Sequence, residues 1–159
     1  NGNSMEDTLF NGQRLIVYKL GYSFSPPERG DIVVVKVQEG SARYLPLLEK
    51  VPVLKKIIPD LREIDYIKRV IGVPGDKIEI KDGKVFVNGV EIEEPYIKGS
   101  TYENGMVFPI TVEQGKLFVM GDNRQNSHDS RQMGQISIDR IKGKAILRIW
   151  PLEDFGTVQ

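Results

Sequence analysis

The 159-residue chain contains no cysteine, one histidine and one tryptophan. Without cysteine there is no disulfide framework, no thiol nucleophile and no thiolate metal site, and this absence fits any redox compartment. A single histidine, His128, rules out a multi-histidine metal centre. Carboxylate-only metal sites remain possible, but the acidic residues follow no recognisable cation-binding spacing; no metal or other cofactor is expected. Charge of one sign is not in excess either: 22 Lys and Arg balance 22 Asp and Glu. Such a balance supplies neither the basic field that nucleic acid requires nor an acidic solvating tail, and a nucleic-acid partner is disfavoured. Long apolar runs are also missing. Ile32-Val-Val-Val35 is typical of the longest, far short of the roughly 20 residues of a membrane helix. No basic stretch leading into an apolar one opens the chain, so no signal peptide is read there and the sequence as it stands is expected to be soluble.

Hydrophobic residues make up 40% of the chain, enough for one domain with a sizeable core. Strand signals dominate. Arg14 to Tyr18, Asp31 to Val37, Asp65 to Ile71, Lys77 to Ile80, Lys84 to Val87, Lys116 to Met120 and Gly143 to Trp150 are short runs rich in β-branched and aromatic residues, bounded by Gly, Pro, Asn or Asp. The plan is all-β. Asp82-Gly83 and Asn88-Gly89 supply the positive φ of tight hairpin turns, so residues 77–94 read as a small meander. Two stretches interrupt the strands: residues 41–64 and a mixed loop from Lys98 to about Glu113. In the first, Pro46, Pro52 and Pro59 break any helix into short pieces. Its interleaved Leu, Ile, Lys and Arg fit a flap on a membrane surface or a small lobe packed on the main body.

Three places could carry chemistry. In the strand Ile64 to Ile71, alternation puts Lys68 on one face with Ile64, Tyr66 and Val70. An ammonium among such neighbours loses hydration, its pKa falls, and the lysine becomes usable as a general base. Against this, the side chain could snorkel to solvent or pair with an acid. Ser4 opens Ser-Met-Glu-Asp7, the pattern of a helix capping box. It could equally be a nucleophile, since a hydroxyl needs only a neighbouring base and lysine serves as one alongside histidine. His128 is the rival base, although its neighbours Ser127 and Asp129 point away from it and cannot complete a triad with it. The third place is the polar loop Gly121 to Arg131. Its composition favours a solvated connection over a buried polar scaffold.

Ser4-Met5 with Thr8-Leu9, Arg29-Gly-Asp-Ile-Val-Val34, Tyr66-Ile-Lys-Arg-Val-Ile-Gly-Val-Pro-Gly-Asp76, Gly121-Asp-Asn-Arg-Gln-Asn-Ser-His-Asp-Ser-Arg131 and the ending Arg148-Ile-Trp-Pro151 occur in that order. Together they resemble the sequence boxes of bacterial type I signal peptidases, with a match that spans Ser4 to Trp150. The resemblance implies a membrane-associated serine endopeptidase that removes signal peptides from exported pre-proteins after small residues of the Ala-x-Ala type. It implies Ser4 as nucleophile and Lys68 as general base. Ser127 would orient the lysine, and Asp129 with Arg131, together with Asp122 and Arg124, would form an ion-paired scaffold beneath it. His128 lies at a variable position of the loop and becomes a bystander. The substrate would bind as an extended strand along Asp65 to Lys68, with Met5, Asp65, Tyr66 and Ile67 shaping its pockets.

The implied fold is a mixed, coiled, barrel-like sheet. Residues 1–159 would form one catalytic domain, with a core of about 1–76 and 115–159 and a smaller inserted β and irregular lobe of about 77–114. The insertion 41–64 has no assigned role. Signal peptides and the membrane surface are the implied partners, the latter through an N-terminal anchor missing from this sequence. The catalytic domain would stand on the extracytoplasmic side of the cytoplasmic membrane. Two residues depart from the pattern. Asp7 replaces a proline of many relatives, and Gly2 replaces a serine that in some supplies an oxyanion donor. Two alternatives stay open: a self-cleaving Ser–Lys peptidase of the repressor type, and a catalytically impaired scaffold for secreted-protein assembly.

Overall fold

The computed structural model describes residues 3–18, 26–38 and 63–158. Gly2 and residues 41–62 of the unassigned insertion lie outside the described residues. In chain order the elements are β1 (Arg14–Tyr18), β2 (Ile32–Gln38), β3 (Glu63–Gly72), β4 (Lys77–Lys81), β5 (Lys84–Val87), β6 (Val90–Glu91), β7 (Ile110–Thr111), β8 (Lys116–Met120), a four-residue helix α1 (Ser130–Met133), β9 (Ile136–Ser137), β10 (Ile141–Trp150) and β11 (Gly156–Thr157). Each of the seven strands expected from composition and bounding residues is present, and their ends shift by no more than two residues. No helix among the described residues is long and apolar enough to cross a membrane.

Two sheets form. The larger runs β1-β10-β2-β3-β8-β9, with β11 added beside β10, and the smaller runs β6-β5-β4-β7. Every described strand pair is antiparallel, where a mixed sheet was expected. Parallel pairs are usually built from helical crossovers that cover the sheet, and α1 is the sole α-helix among the described residues. The hairpins of the smaller sheet turn where the sequence indicated, with φ of 51° at Asp82 and 54° at Asn88 and a positive-φ glycine after each.

The sheets share a core. Ile78 and Ile80 of β4 and Val85 and Val87 of β5 pack with Ile71, Phe118 and Met120. On the opposite face of the larger sheet, Val70, Leu117 and Val119 pack with Val33, Val35 and Ile136. β8 is therefore buried on both sides, which is why Leu117 to Met120 is a continuous apolar run instead of an alternating one. The same holds for the second half of β3, where Val70 and Ile71 point into different cores. By strand parity Lys68 shares the face of Val70, and Arg69 that of Ile71. Both cations lie inside, each 2% exposed. A third cluster, Met5, Leu9, Ile32 and Ala145, anchors the segment before β1 beneath β2 and β10.

Candidate active site

Residues 4–8 form a turn and no helix follows, so Ser4 caps nothing. The turn is closed by Leu9 N–H donating to Met5 O at 2.7 Å and is pinned by the side chain of buried Met5. Its outer bonds run to distant parts of the chain. Asn123 donates from its backbone N–H to Ser4 O at 3.0 Å and from its side chain to Asn3 O at 3.1 Å. Thr8 Oγ1 donates to Asp122 Oδ2 at 2.5 Å, and Arg148 Nη1 to Thr8 O at 3.3 Å. Asp7 stands by an ion pair with Lys98 at 3.5 Å.

This turn brings Ser4 to β3. Lys68 Nζ lies 2.6 Å from Ser4 Oγ, the two residues being 64 positions apart in sequence. The ammonium sits 5.2 Å from the centre of the Tyr66 ring. Burial is the main cause that pushes its pKa from 10.5 to about 8; the charges of Asp129 and Asp122 pull it back up and that of Arg131 lowers it further. The snorkelling alternative is thereby excluded. A lysine that gives up its proton near pH 8, in contact with a hydroxyl, can activate that hydroxyl.

The polar loop is a buried scaffold, contrary to its composition. Asp122, Asn123, Arg124, Ser127, Asp129, Ser130 and Arg131 are all buried. Composition misled because it counts polar groups, whereas burial depends on whether each finds a partner. Asp129 caps α1: its carboxylate accepts from Arg131 N–H, and Gln132 accepts from Asp129 N–H in return. The same carboxylate takes both Nε and Nη2 of Arg131 at 2.9 Å, and Gly121 N–H at 3.0 Å. Burial would raise the Asp129 pKa, but the bonds and charge of Arg131 outweigh it and hold the carboxyl below its usual range.

Asp122 and Arg124 join this scaffold without pairing with each other through their side chains. Asp122 is taken bidentately by Arg69, at 2.9 and 2.7 Å. Arg124 reaches Glu94, with one contact at 2.8 Å, bonds Thr101 Oγ1, and donates to Gly121 O at 3.1 Å. Neither Arg69 nor Glu94 stood out in the sequence. Arg69 read as one more residue on the face opposite Lys68, and nothing local marks Glu94. Gly121 was also passed over: a methyl group on its Cα would overlap Ser4 O and the Ser127 side chain.

Ser127 lies close by, yet among the described residues its buried Oγ has no hydrogen-bond partner. It is near enough to Asp129 to help lower that pKa, though outside hydrogen-bond geometry. The expected bond from Ser127 to Lys68 is not formed in this conformation. The other predicted residues are brought together by the fold. Met5, Asp65, Tyr66, Ile67, Ser4 and Lys68 all line one cleft of about 420 Å³. Asp65 is exposed at its rim and paired with Lys142 at 2.8 Å. His128 lines the same cleft edge-on to Tyr66, with ring centres 6.4 Å apart. Among the described residues no group of His, Asp and Glu could hold a metal ion.

Comparison with known proteins gives this site a context. The family model described as "Signal peptidase, peptidase S26" matches residues 1–150. A signal peptidase I of Leptolyngbya laminosa is 40% identical over 154 residues, covering 96% of this chain and 68% of that protein. A probable signal peptidase I-2 of Synechocystis sp. is 36% identical over 154 residues, 96% of this chain and 62% of its own length. A signal peptidase I of Bacillus caldolyticus is 35% identical over 167 residues, with coverage of 98% and 79%. The crystal structure of a signal peptidase I from Enterococcus faecalis superposes with a TM-score of 0.52 at 26% identity, covering 74% of this chain and 95% of that one. The match over residues 1–150 and the identity of up to 40% lead to one conclusion: the chain belongs to the signal peptidase family, peptidase S26.

Proposed function

We propose that the chain hydrolyses the bond joining a signal peptide to an exported pre-protein, after small residues of the Ala-x-Ala type, with Ser4 as nucleophile and Lys68 as general base. The observation that carries this assignment is the 2.6 Å contact of Lys68 Nζ with Ser4 Oγ, inside a site that lowers the lysine pKa to about 8. Neutral Lys68 takes the hydroxyl proton as Oγ attacks the scissile carbonyl, then returns it to the departing amine. The acyl-enzyme is released when Lys68 deprotonates a water in the same way. Asp122, Asp129, Arg124 and Arg131 hold the frame, and Ser127 orients the lysine.

The substrate strand adds to an open edge. β8 pairs with β3 only from Arg69 onward, and no described strand lies on that side of Asp65 to Lys68. An extended peptide there exchanges backbone hydrogen bonds with β3, while Met5, Asp65, Tyr66 and Ile67 select its small side chains. The domain works at the outer face of the cytoplasmic membrane, held by an anchor that precedes these residues in the full protein. Phe10 at the cleft, together with Ile16, Ile146 and Trp150 on β1 and β10, exposes apolar surface suited to that position. All 159 residues act as one catalytic domain, with residues 77–114 as its smaller lobe.

Cleavage of an Ala-x-Ala pre-protein by the wild type, Ser4→Ala and Lys68→Ala tests the assignment. Loss of cleavage in both variants is expected. Wild-type rates in either one would overturn it.

A further inference from the structure

The catalytic scaffold does not end at the loop and β3. Tyr96 and Glu94, in the segment leading out of the smaller sheet, reach into it. The Tyr96 ring centre lies 3.7 Å from Arg69 Cζ, so the ring covers a face of the guanidinium. The edge donors of Arg69 are already committed to Asp122, at 2.9 and 2.7 Å, and to Gly30 O at 3.0 Å. We propose that Tyr96, steered by Glu94, is a positioning residue for the Ser4 and Lys68 pair, acting through Arg69 and Asp122; this rests on the dyad reading above.

The connections form a closed circuit. Tyr96 OH donates to Glu94 Oε1 at 3.3 Å, Glu94 is gripped by Arg124, and Arg124 Nε donates to Gly121 O at 3.1 Å. Gly121 precedes Asp122, which returns to Arg69 under the Tyr96 ring. Burial first, then the charge of Glu94, pushes the Tyr96 phenol well above its usual pKa, so it stays a donor. Lys98 N–H donates to Asp122 O at 2.9 Å and ties the same segment to the loop.

Asp122 is where this circuit meets catalysis. Its carboxylate receives the Thr8 hydroxyl of the nucleophile turn at 2.5 Å, and its charge acts on Lys68. The groups facing Lys68 are Asp122 and Asp129, which favour its proton, Arg131, which opposes it, and Ser4 Oγ and the Tyr66 ring in contact. A ring stacked on Arg69 keeps water from the Arg69–Asp122 pair and keeps the guanidinium on its carboxylate. Without that ring, Arg69 swings and water enters. The Asp122 charge is then less neutralised, which favours the ammonium and moves the onset of activity to higher pH.

The test follows cleavage of an Ala-x-Ala pre-protein between pH 6 and 10 by the wild type, Tyr96→Phe, Tyr96→Leu and Lys68→Ala, with urea unfolding of each. Tyr96→Leu is expected to lower kcat about tenfold and to move the rising limb up by about half a pH unit or more. Tyr96→Phe, which keeps the ring and loses the bond to Glu94, is expected to move the limb less than Tyr96→Leu does. If Tyr96→Leu does not fold, Tyr96→Met fills the volume without a ring face and carries the same expectation. An unmoved limb in the ringless variant, whatever happens to stability, would reduce Tyr96 to a packing residue and overturn the proposal. Retained activity in Lys68→Ala is a separate failure, because it removes the dyad itself.

Discussion

Replacing Lys68 by methionine should make the protein more stable at neutral pH while abolishing cleavage. The lowering of the lysine pKa from 10.5 to about 8 means that the fold disfavours the ammonium. At about 1.4 kcal/mol per pH unit, that cost reaches about 3 kcal/mol. The attraction of Asp129 and Asp122 is already inside this balance. Methionine nearly conserves the volume, and it forfeits the 2.6 Å bond to Ser4 Oγ, worth about 1 kcal/mol. A net gain of about 2 kcal/mol is expected where Lys68 is charged. The sign depends on pH as follows. Below about pH 8 folded and unfolded states both bind the proton, so the wild type bears the full cost; between about 8 and 10.5 only the unfolded state keeps it, and wild-type stability climbs. The advantage of the variant should therefore be largest at pH 6–7 and fade toward pH 10.5. Urea unfolding at several pH values measures this directly. A Lys68→Met protein no more stable than the wild type at pH 6.5, or one whose advantage does not shrink with pH, would refute the claim that Lys68 is held as a strained base.

Activity of the wild type should rise from pH 6 with a midpoint near 8, the pKa of Lys68; a pH–rate profile that peaks below pH 6 would contradict a lysine base. Gly121→Ala places a methyl group against Ser4 O and the Ser127 side chain, and should cost about 100-fold in kcat through displacement of the nucleophile. Cleavage at the wild-type rate would show that the turn yields without harm. His128→Ala should keep most of the activity, since the ring packs against Tyr66 and Lys68 already contacts Ser4. A complete loss in the same cleavage assay would reopen histidine as the base.

Much of the architecture was legible before any coordinates. Short β-branched and aromatic runs between turn-forming residues located seven strands because strand preference is a property of neighbouring residues. Asp82-Gly83 and Asn88-Gly89 announced their turns because only a few residue types adopt positive φ there. Lys68 was recognisable for a similar reason: a lone ammonium among Tyr66 and Val70 departs from its local pattern. That every described strand pair is antiparallel was not legible, since strand direction depends on how the chain returns, and no local signal carries that.

The residues themselves determined the strands, the turns, the absence of cysteine chemistry and the ordered segments that hold Ser4 and Lys68. Tertiary structure alone decided who pairs with whom. It gave Asp122 to Arg69, 53 residues away, and Arg124 to Glu94, 30 residues away, and it buried a loop whose composition suggested solvent. It also placed a tyrosine of the smaller sheet's connection against the strand that carries Lys68. The physical reason is one of range. Periodicity and turn preference arise within a few residues, whereas the partner of a buried charge is set by which strands meet after the chain has closed on itself.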